Sequence, residues 1–284
     1  MTVKIVTDSL ADLPPDTVKE LGISVVPLVV NFGDEFYRDG IDLSSEQFYE
    51  KLKTGKVFPH TSVPSPGVFT EVYDELAQET DQIVVIAVSA KLSGTCQVAL
   101  QAAKLMKRKC QVEVIDSRWA TMAEGFIVMA AAKAARAGAG LVEIKEIVQK
   151  MIPRVNLLAT FDTLEYLRRG GRIGKAQAFL GSMLKVNPII TLKEGLVEPV
   201  ERVRSRVKAI DALFHFARSY SKIEEMSVED AASPAEADAL VERLGSLYPK
   251  ERIYRSRMTP AIGTHTGPGL LLVAVQGESS QRVM

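Results

Sequence analysis

Apolar positions along the first half of the chain follow two alternating periods. Short β-branched runs at 3–6, 24–30, 83–88 and 112–115 predict strands, and three-to-four-residue spacing over 16–21, 46–52, 67–78, 97–106 and 122–135 predicts helices. The runs at 3–6 and 83–88 show no polar alternation, as expected of strands covered on both faces. Together these predict an α/β fold with a mainly parallel sheet covered by helices. Two helix starts are well signalled: Ser44 with Gln47 forms a capping box, and Ser65 is followed by Pro66 at the first helical position.

The second half changes rhythm. After a helical pattern at 142–151, strands are expected at 157–161, 189–192, 197–203, 227–230 and 270–275, with helices at 207–219 and 235–247. This order suits a second α/β domain with a mixed sheet. The expected boundary lies between 152 and 162, dividing the chain into 1–155 and 156–284, with Gly170-Gly171 as a helix stop or hinge.

Composition narrows the function. The 284 residues balance 35 Lys and Arg against 35 Asp and Glu, so no overall field favours nucleic acid. Cys96 and Cys110 fit neither a zinc spacing nor a disulfide framework and suit a reducing compartment. His60, His215 and His265 are too scattered to suggest a metal site, and His60 and His215 read as structural. With no basic-then-apolar leader and no long apolar span, a cytoplasmic location is expected.

The strongest chemical signal follows the run at 83–88. Ser89-Ala90-Lys91-Leu92-Ser93-Gly94-Thr95 leads from a buried strand into a helix, whose N-terminus offers free N–H groups and a partial positive charge. Phosphate and carboxylate fit equally well. Thr61-Ser62-Val63-Pro64-Ser65, Thr7-Asp8-Ser9 and Asp116-Ser117 also sit at strand ends, where ligands gather in open α/β sheets. The alternative is that Ser9, Ser65 and Ser93 merely cap helices. Gly263-Thr264-His265-Thr266-Gly267-Pro268-Gly269 sets a histidine among threonines and glycines, either as a recognition group or in a polar turn. If 201–206 is extended, Arg202, Arg204 and Arg206 share one face, suited to a partner, a phosphate or surface ion pairs. No G-x-S-x-G elbow, G-x-G-x-x-G fingerprint or Walker loop is present.

In this order the segments resemble the DegV family of bacterial fatty acid-binding proteins, which includes the binding subunits of fatty acid kinase. The resemblance rests on Thr-Asp-Ser at 7–9, Thr-Ser-Val-Pro-Ser at 61–65, Leu-Ser-Gly-Thr at 92–95 and Ile-Asp-Ser at 115–117. It continues through Thr-Leu-Glu-Tyr-Leu-Arg-Arg-Gly-Gly-Arg-Ile at 163–173, Arg-Val-Arg-Ser-Arg at 202–206 and Thr-His-Thr-Gly-Pro-Gly at 264–269, nearly end to end. It implies a long-chain fatty acid between the domains. The carboxylate would meet Thr61, Ser93 and the Gly94 N–H, with Ser62, His265 and Thr266 extending the network and Thr95, Asp8 and Ser117 in support.

The resemblance further implies that a separate kinase, carrying its own ATP and Mg²⁺, phosphorylates the carboxylate to an acyl-phosphate for phospholipid synthesis. Arg202, Arg204 and Arg206 would face that kinase. The chain itself would need no cofactor and no metal, and lipid transfer would allow transient membrane contact. Several positions depart from the family pattern: Leu10, Cys96, Trp119, Met122 and Glu124. Trp119 is expected to shorten or reroute the tunnel if its segment lines it, and Glu124 to face solvent or pair with an arginine. The competing reading is an acyl or phosphoryl hydrolase with Ser93 as nucleophile and His265 as base.

Overall fold

The computed structural model describes residues 2–180 and 186–279. The chain opens with β1 (Lys4–Asp8), α1 (Pro15–Leu21), β2 (Ser24–Val26), β3 (Val29–Phe32), β4 (Glu35–Arg38), α2 (Ser45–Thr54), β5 (His60–Ser62) and α3 (Pro66–Leu76). It continues through β6 (Gln82–Ala87), α4 (Thr95–Leu105), β7 (Gln111–Asp116), α5 (Thr121–Arg136) and α6 (Leu141–Met151). Strands β1, β2, β6 and β7 pair in parallel in the order β2-β1-β6-β7, with β6 buried along almost its whole length. This is the helix-covered parallel sheet that the unbroken apolar runs predict.

The run at 24–30 is not one strand. Pro27 has no N–H for a ladder, and the next N–H, that of Leu28, leaves the sheet to donate to Ser9 Oγ at 3.1 Å. The chain therefore turns, and β3 joins a separate antiparallel sheet in the order β4-β3-β5. Among the capping signals, Ser44 and Gln47 form both halves of their capping box, whereas Ser65 takes the N-cap position of α3 without a side-chain bond.

The second half comprises β8 (Val155–Thr160), α7 (Glu165–Arg169), β9 (Asn187–Lys193), β10 (Leu196–Val203), α8 (Arg206–Arg218), β11 (Tyr220–Asp230) and α9 (Pro234–Leu244). It ends with β12 (Ile253–Arg257), α10 (Pro260–Thr266) and β13 (Leu271–Ser279). The sheet runs β10-β9-β8-β13-β11-β12, antiparallel except for the β11–β12 pair. Helix α7 stops at Gly170 and Gly171, the latter in the left-handed region at φ 71°. His215 lies on the exposed side of α8 with its ring edge-on to Phe214.

Helix α5 lies between the parallel and mixed sheets, packing against β1 and β6 on one side and β8, β11 and β13 on the other. Its sequence, rich in Ala and Met, is buried around nearly its whole circumference, which is the behaviour of a helix apolar on every side. One apolar core runs from Val3 and Ile5 through Phe126 and Met129 to Leu272 and Ala274. The tips of the parallel strands thus face the mixed sheet across the start of α5, and a cavity opens there.

Candidate functional site

The cavity, counted together with the solvent-open space at its mouth, holds about 770 Å³ free of atoms. Its walls come from β8 and β9 (Leu157, Ala159, Ile190, Leu192), the β6–α4 loop (Val88, Leu92, Ser93) and α10 (Ala261, Ile262, His265, Thr266). Most of this lining is aliphatic. At one end five half-buried polar residues converge: Thr61, Ser93, Arg172, His265 and Thr266. An apolar cavity with a cluster of polar residues fits a ligand with a charged head and a hydrocarbon body.

Each polar residue is set by its local structure. Strand β5 alternates sides, so with Thr61 facing the cavity Ser62 faces outward, where it accepts a hydrogen bond from Asn31 at 2.7 Å. His265 lies in the last turn of α10 and not in a polar turn. The flanking threonines tolerate that helix because Thr264 and Thr266 donate to the carbonyls of Pro260 and Ile262, one turn back, at 2.9 and 3.1 Å. Thr61 Oγ1 stands 2.7 Å from His265 Nε2, joining two segments 204 residues apart. A Cβ at residue 170 would collide with His265 Nδ1, so only glycine lets α7 approach this closely.

Burial and the neighbouring Arg172 push His265 down to about 4, so the ring is neutral near neutral pH and offers one donor and one acceptor. The Arg172 guanidinium donates from Nε to Leu92 O at 3.1 Å and from Nη1 to Gly170 O at 2.6 Å, tying α7 to the β6–α4 loop. Arg172 is the wall residue that sequence reasoning did not assign a role. Its signal was present in the Gly-Gly-Arg run, since arginine just past a helix stop presents a fixed charge. Beside it Tyr166 stacks on Phe58 at 5.3 Å, and Arg169 covers the same Phe58 ring at 5.0 Å.

Other expected site residues lie outside the wall. Gly94 is exposed at the N-cap of α4, and Thr95 is buried behind Ser93, their hydroxyls 2.8 Å apart. Asp8 uses both oxygens on backbone: Oδ1 accepts from Leu10 N and Oδ2 from Val88 N, stitching the tips of β1 and β6. Ser117 closes a local turn with Trp119 through both its N–H and its carbonyl. The expectation for Trp119 is corrected. Its indole donates to Ile152 O at 3.0 Å, which anchors it in the core, and Ala120 and Thr121 line the cavity in its place.

Glu124 neither faces solvent nor meets an arginine. It is fully buried on α5, accepts from Thr7 Oγ1 at 3.3 Å, and has a second oxygen without a partner. Burial, then the nearby Asp8, pushes its carboxyl well up. Asp8 itself rises to about 7 and Asp39 to about 6, in both cases chiefly through burial. Asp12 and Glu229 are raised as well, again by burial, with Asp12 further raised by facing Glu229. Burial, which disfavours the charged form, is the leading cause for all five of these carboxyls.

The three arginines do not share a strand face. Strand β10 ends at Val203, and Ser205 caps α8 by accepting from Lys208 N, which puts Arg206 on a helix. Arg206 is held by Glu236 at 2.6 Å and lies 3.6 Å from Asp162. Arg202 and Arg204 remain exposed, with the Arg202 guanidinium 4.9 Å from the Phe179 ring centre. Nor does the geometry assemble a nucleophile and base: Ser93 pairs with Thr95, Nε2 of His265 is taken by Thr61, and Nδ1 has no partner to orient it.

The model of the DegV family matches residues 2–278. A DegV domain-containing protein of Caldanaerobacter subterraneus subsp. tengcongensis is 37% identical over 270 residues, covering 94% of this chain and 95% of that protein. The structure of a DegV family protein from Thermus thermophilus, solved for its fatty acid binding, matches with a TM-score of 0.89 at 35% identity, over 98% of this chain and 100% of that one. DegV of Bacillus subtilis, described as a fatty acid binding protein, matches with a TM-score of 0.88 at 33% identity, over 98% and 100% of the two chains.

Proposed function

The chain belongs to the DegV family, and from that premise we propose that it binds a long-chain fatty acid and presents the carboxylate to a separate ATP-dependent kinase. The observation that carries this reading is the aliphatic cavity closed at one end by Thr61, Ser93, Arg172 and His265. Tail and head divide the work. Each buried methylene contributes about 0.8 kcal/mol, on the order of 10 kcal/mol gross for a long tail. Each hydrogen bond to the charged head adds roughly 1.5–3 kcal/mol. The tail supplies affinity and the head sets register.

In this reading Thr61 and Ser93 donate hydroxyls to the carboxylate, neutral His265 orients Thr61, and Arg172 supplies the compensating charge. A carboxylate is already nucleophilic near neutral pH, so phosphorylation asks the carrier only for position. ATP and Mg²⁺ then belong to the kinase. Arg202 and Arg204, exposed at the end of β10, are the residues that would meet it.

Solvent extraction of the purified protein followed by mass spectrometry tests the reading directly. Stoichiometric fatty acid is expected, reduced in a Thr61→Ala, Ser93→Ala double variant that melts as the parent does. Absence of lipid, together with acyl ester turnover that Ser93→Ala abolishes, would replace the carrier with a hydrolase. For the kinase step, Arg202→Ala should leave lipid content unchanged and slow acyl-phosphate formation.

A further inference from the structure

Helix α10 carries His265 and Thr266 to the cavity, but its own N-cap does not secure its start. Thr259 takes that position without a side-chain cap bond, and Pro260 has no N–H. Two carboxylates from the first half of the chain meet the open amides instead. The Thr259 N–H donates to Asp12 Oδ1 at 3.0 Å and the Ala261 N–H to Asp39 Oδ1 at 2.9 Å. Two further bonds hold the approach to the helix: Ser256 Oγ donates to Asp12 O at 3.0 Å, and Ser45 Oγ to Met258 O at 2.9 Å.

Asp12 lies in the turn after β1 and Asp39 just after β4, so the helix is supported from two separate segments. Support at two points fixes the direction of a short helix as well as its place. His265 sits about one turn, roughly 6 Å, beyond Ala261. A tilt at the start of α10 is therefore passed to the ring, whose Nε2 stands 2.7 Å from Thr61 Oγ1. Both carboxyls are 3% exposed, and neither lines the cavity. Burial pushes Asp39 up to about 6 and Asp12 well above the usual carboxylate range, a penalty that a neutral serine or asparagine cap would not carry. What aspartate adds is reach on two sides: Asp39 also engages the hydroxyls of Ser9 and Thr259, and Asp12 that of Thr259.

We propose that Asp12 and Asp39 are positioning residues for the head-group site: capping α10 from the other half of the chain, they hold His265 against Thr61 and so set where the fatty acid carboxylate is received. Neither touches the ligand, and both act through the ring. This inference rests on the fatty acid reading above and deepens it at the same site.

The test uses the delipidated full-length protein with ¹⁵N-labelled histidine, as wild type, Asp39→Asn and Asp39→Ala, at pH 8. Palmitate affinity is read by calorimetry, and the NMR shifts of the His265 ring nitrogens report which of them holds the proton. Asparagine keeps an oxygen for the Ala261 N–H, so Asp39→Asn should bind palmitate within about twofold of wild type with the His265 signals in place. Asp39→Ala should lose about tenfold, with the His265 signals moved to those of a ring free of Thr61 and the signals of the distant His215 unchanged. Asp12→Asn should likewise bind as wild type, and Asp12→Gly, which suits the φ of 48° there, should lose as Asp39→Ala does. If Asp39→Ala fails to fold, Asp39→Ser makes the same comparison, since it keeps a hydroxyl for Ser9 and ends short of the Ala261 N–H. Wild-type affinity in the truncated variants, or a loss of affinity with the His265 signals unmoved, would overturn this inference alone. No binding of palmitate to the wild type would overturn the carrier reading beneath it.

Discussion

At the scale of single residues, the contact of Thr61 with His265 organises the polar end, and Gly170 makes it possible. Replacing Gly170 by Ala drives a methyl against Nδ1 and turns the ring away from Thr61. Fatty acid affinity should fall about tenfold, the worth of one hydrogen bond to a charged head, as read by calorimetry. The residue conformation at 170 is ordinary, so thermal stability should change much less. With His265 held at about 4, head-group recognition should be flat from pH 6 to 8, above the titration of the ligand carboxyl; a binding step centred near pH 6.5 would show an unperturbed histidine instead. The hydroxyls at strand and helix ends, with the family resemblance, pointed to Thr61, Ser93 and His265, and the structure brings these three to one cavity. The sequence could not distinguish Ser62 from Thr61, which depends on the facing of one three-residue strand, nor show that Glu124 is buried, which depends on what packs against α5.

At the scale of elements, legibility followed the strength of the local pattern. Apart from the run at 24–30, which breaks at Pro27 into β2 and β3, the long periodic segments of the first half emerged in place, because buried parallel strands and amphipathic helices leave an unbroken signal. The failures are short elements whose existence depends on neighbours: β4 and β5 pair only through β3, β12 lies at a sheet edge, and α10 is a seven-residue helix whose threonine hydroxyls bond back onto its own carbonyls. The arginine segment failed for another reason, since the cap at Ser205 overrides the extended period. Ser205→Ala should therefore cost about 1 kcal/mol in chemical denaturation and disturb the Arg206–Glu236 pair. No change at all would mean that α8 starts without its cap.

At the scale of the whole molecule, the buried carboxyls set how stability depends on pH. Asp8 near 7, Asp39 near 6 and the raised Asp12, Glu124 and Glu229 keep protons that the unfolded chain has already released, so the fold binds more protons than the unfolded chain from about pH 4 upward. Their stabilising contribution is complete below the unfolded value and is lost as pH rises through each folded value. His265 acts oppositely between 6.5 and about 4, since the unfolded chain takes up that proton first. Five groups outweigh one, and Tm should fall by several degrees between pH 5 and 8. Glu124→Gln, neutral throughout, should flatten that slope, and a slope unchanged in the variant would show that Glu124 is as ionised in the fold as in the unfolded chain.

Helix α5, enclosed by both sheets, also limits how the cavity can open. Because one apolar core passes through it, the sheets cannot swing apart like jaws without wetting the centre of the molecule. Under the proposed function, a bound chain would be exchanged through local movement of the side chains around the cavity, such as the Thr61–His265 contact that joins β5 to α10, and not by parting of the sheets.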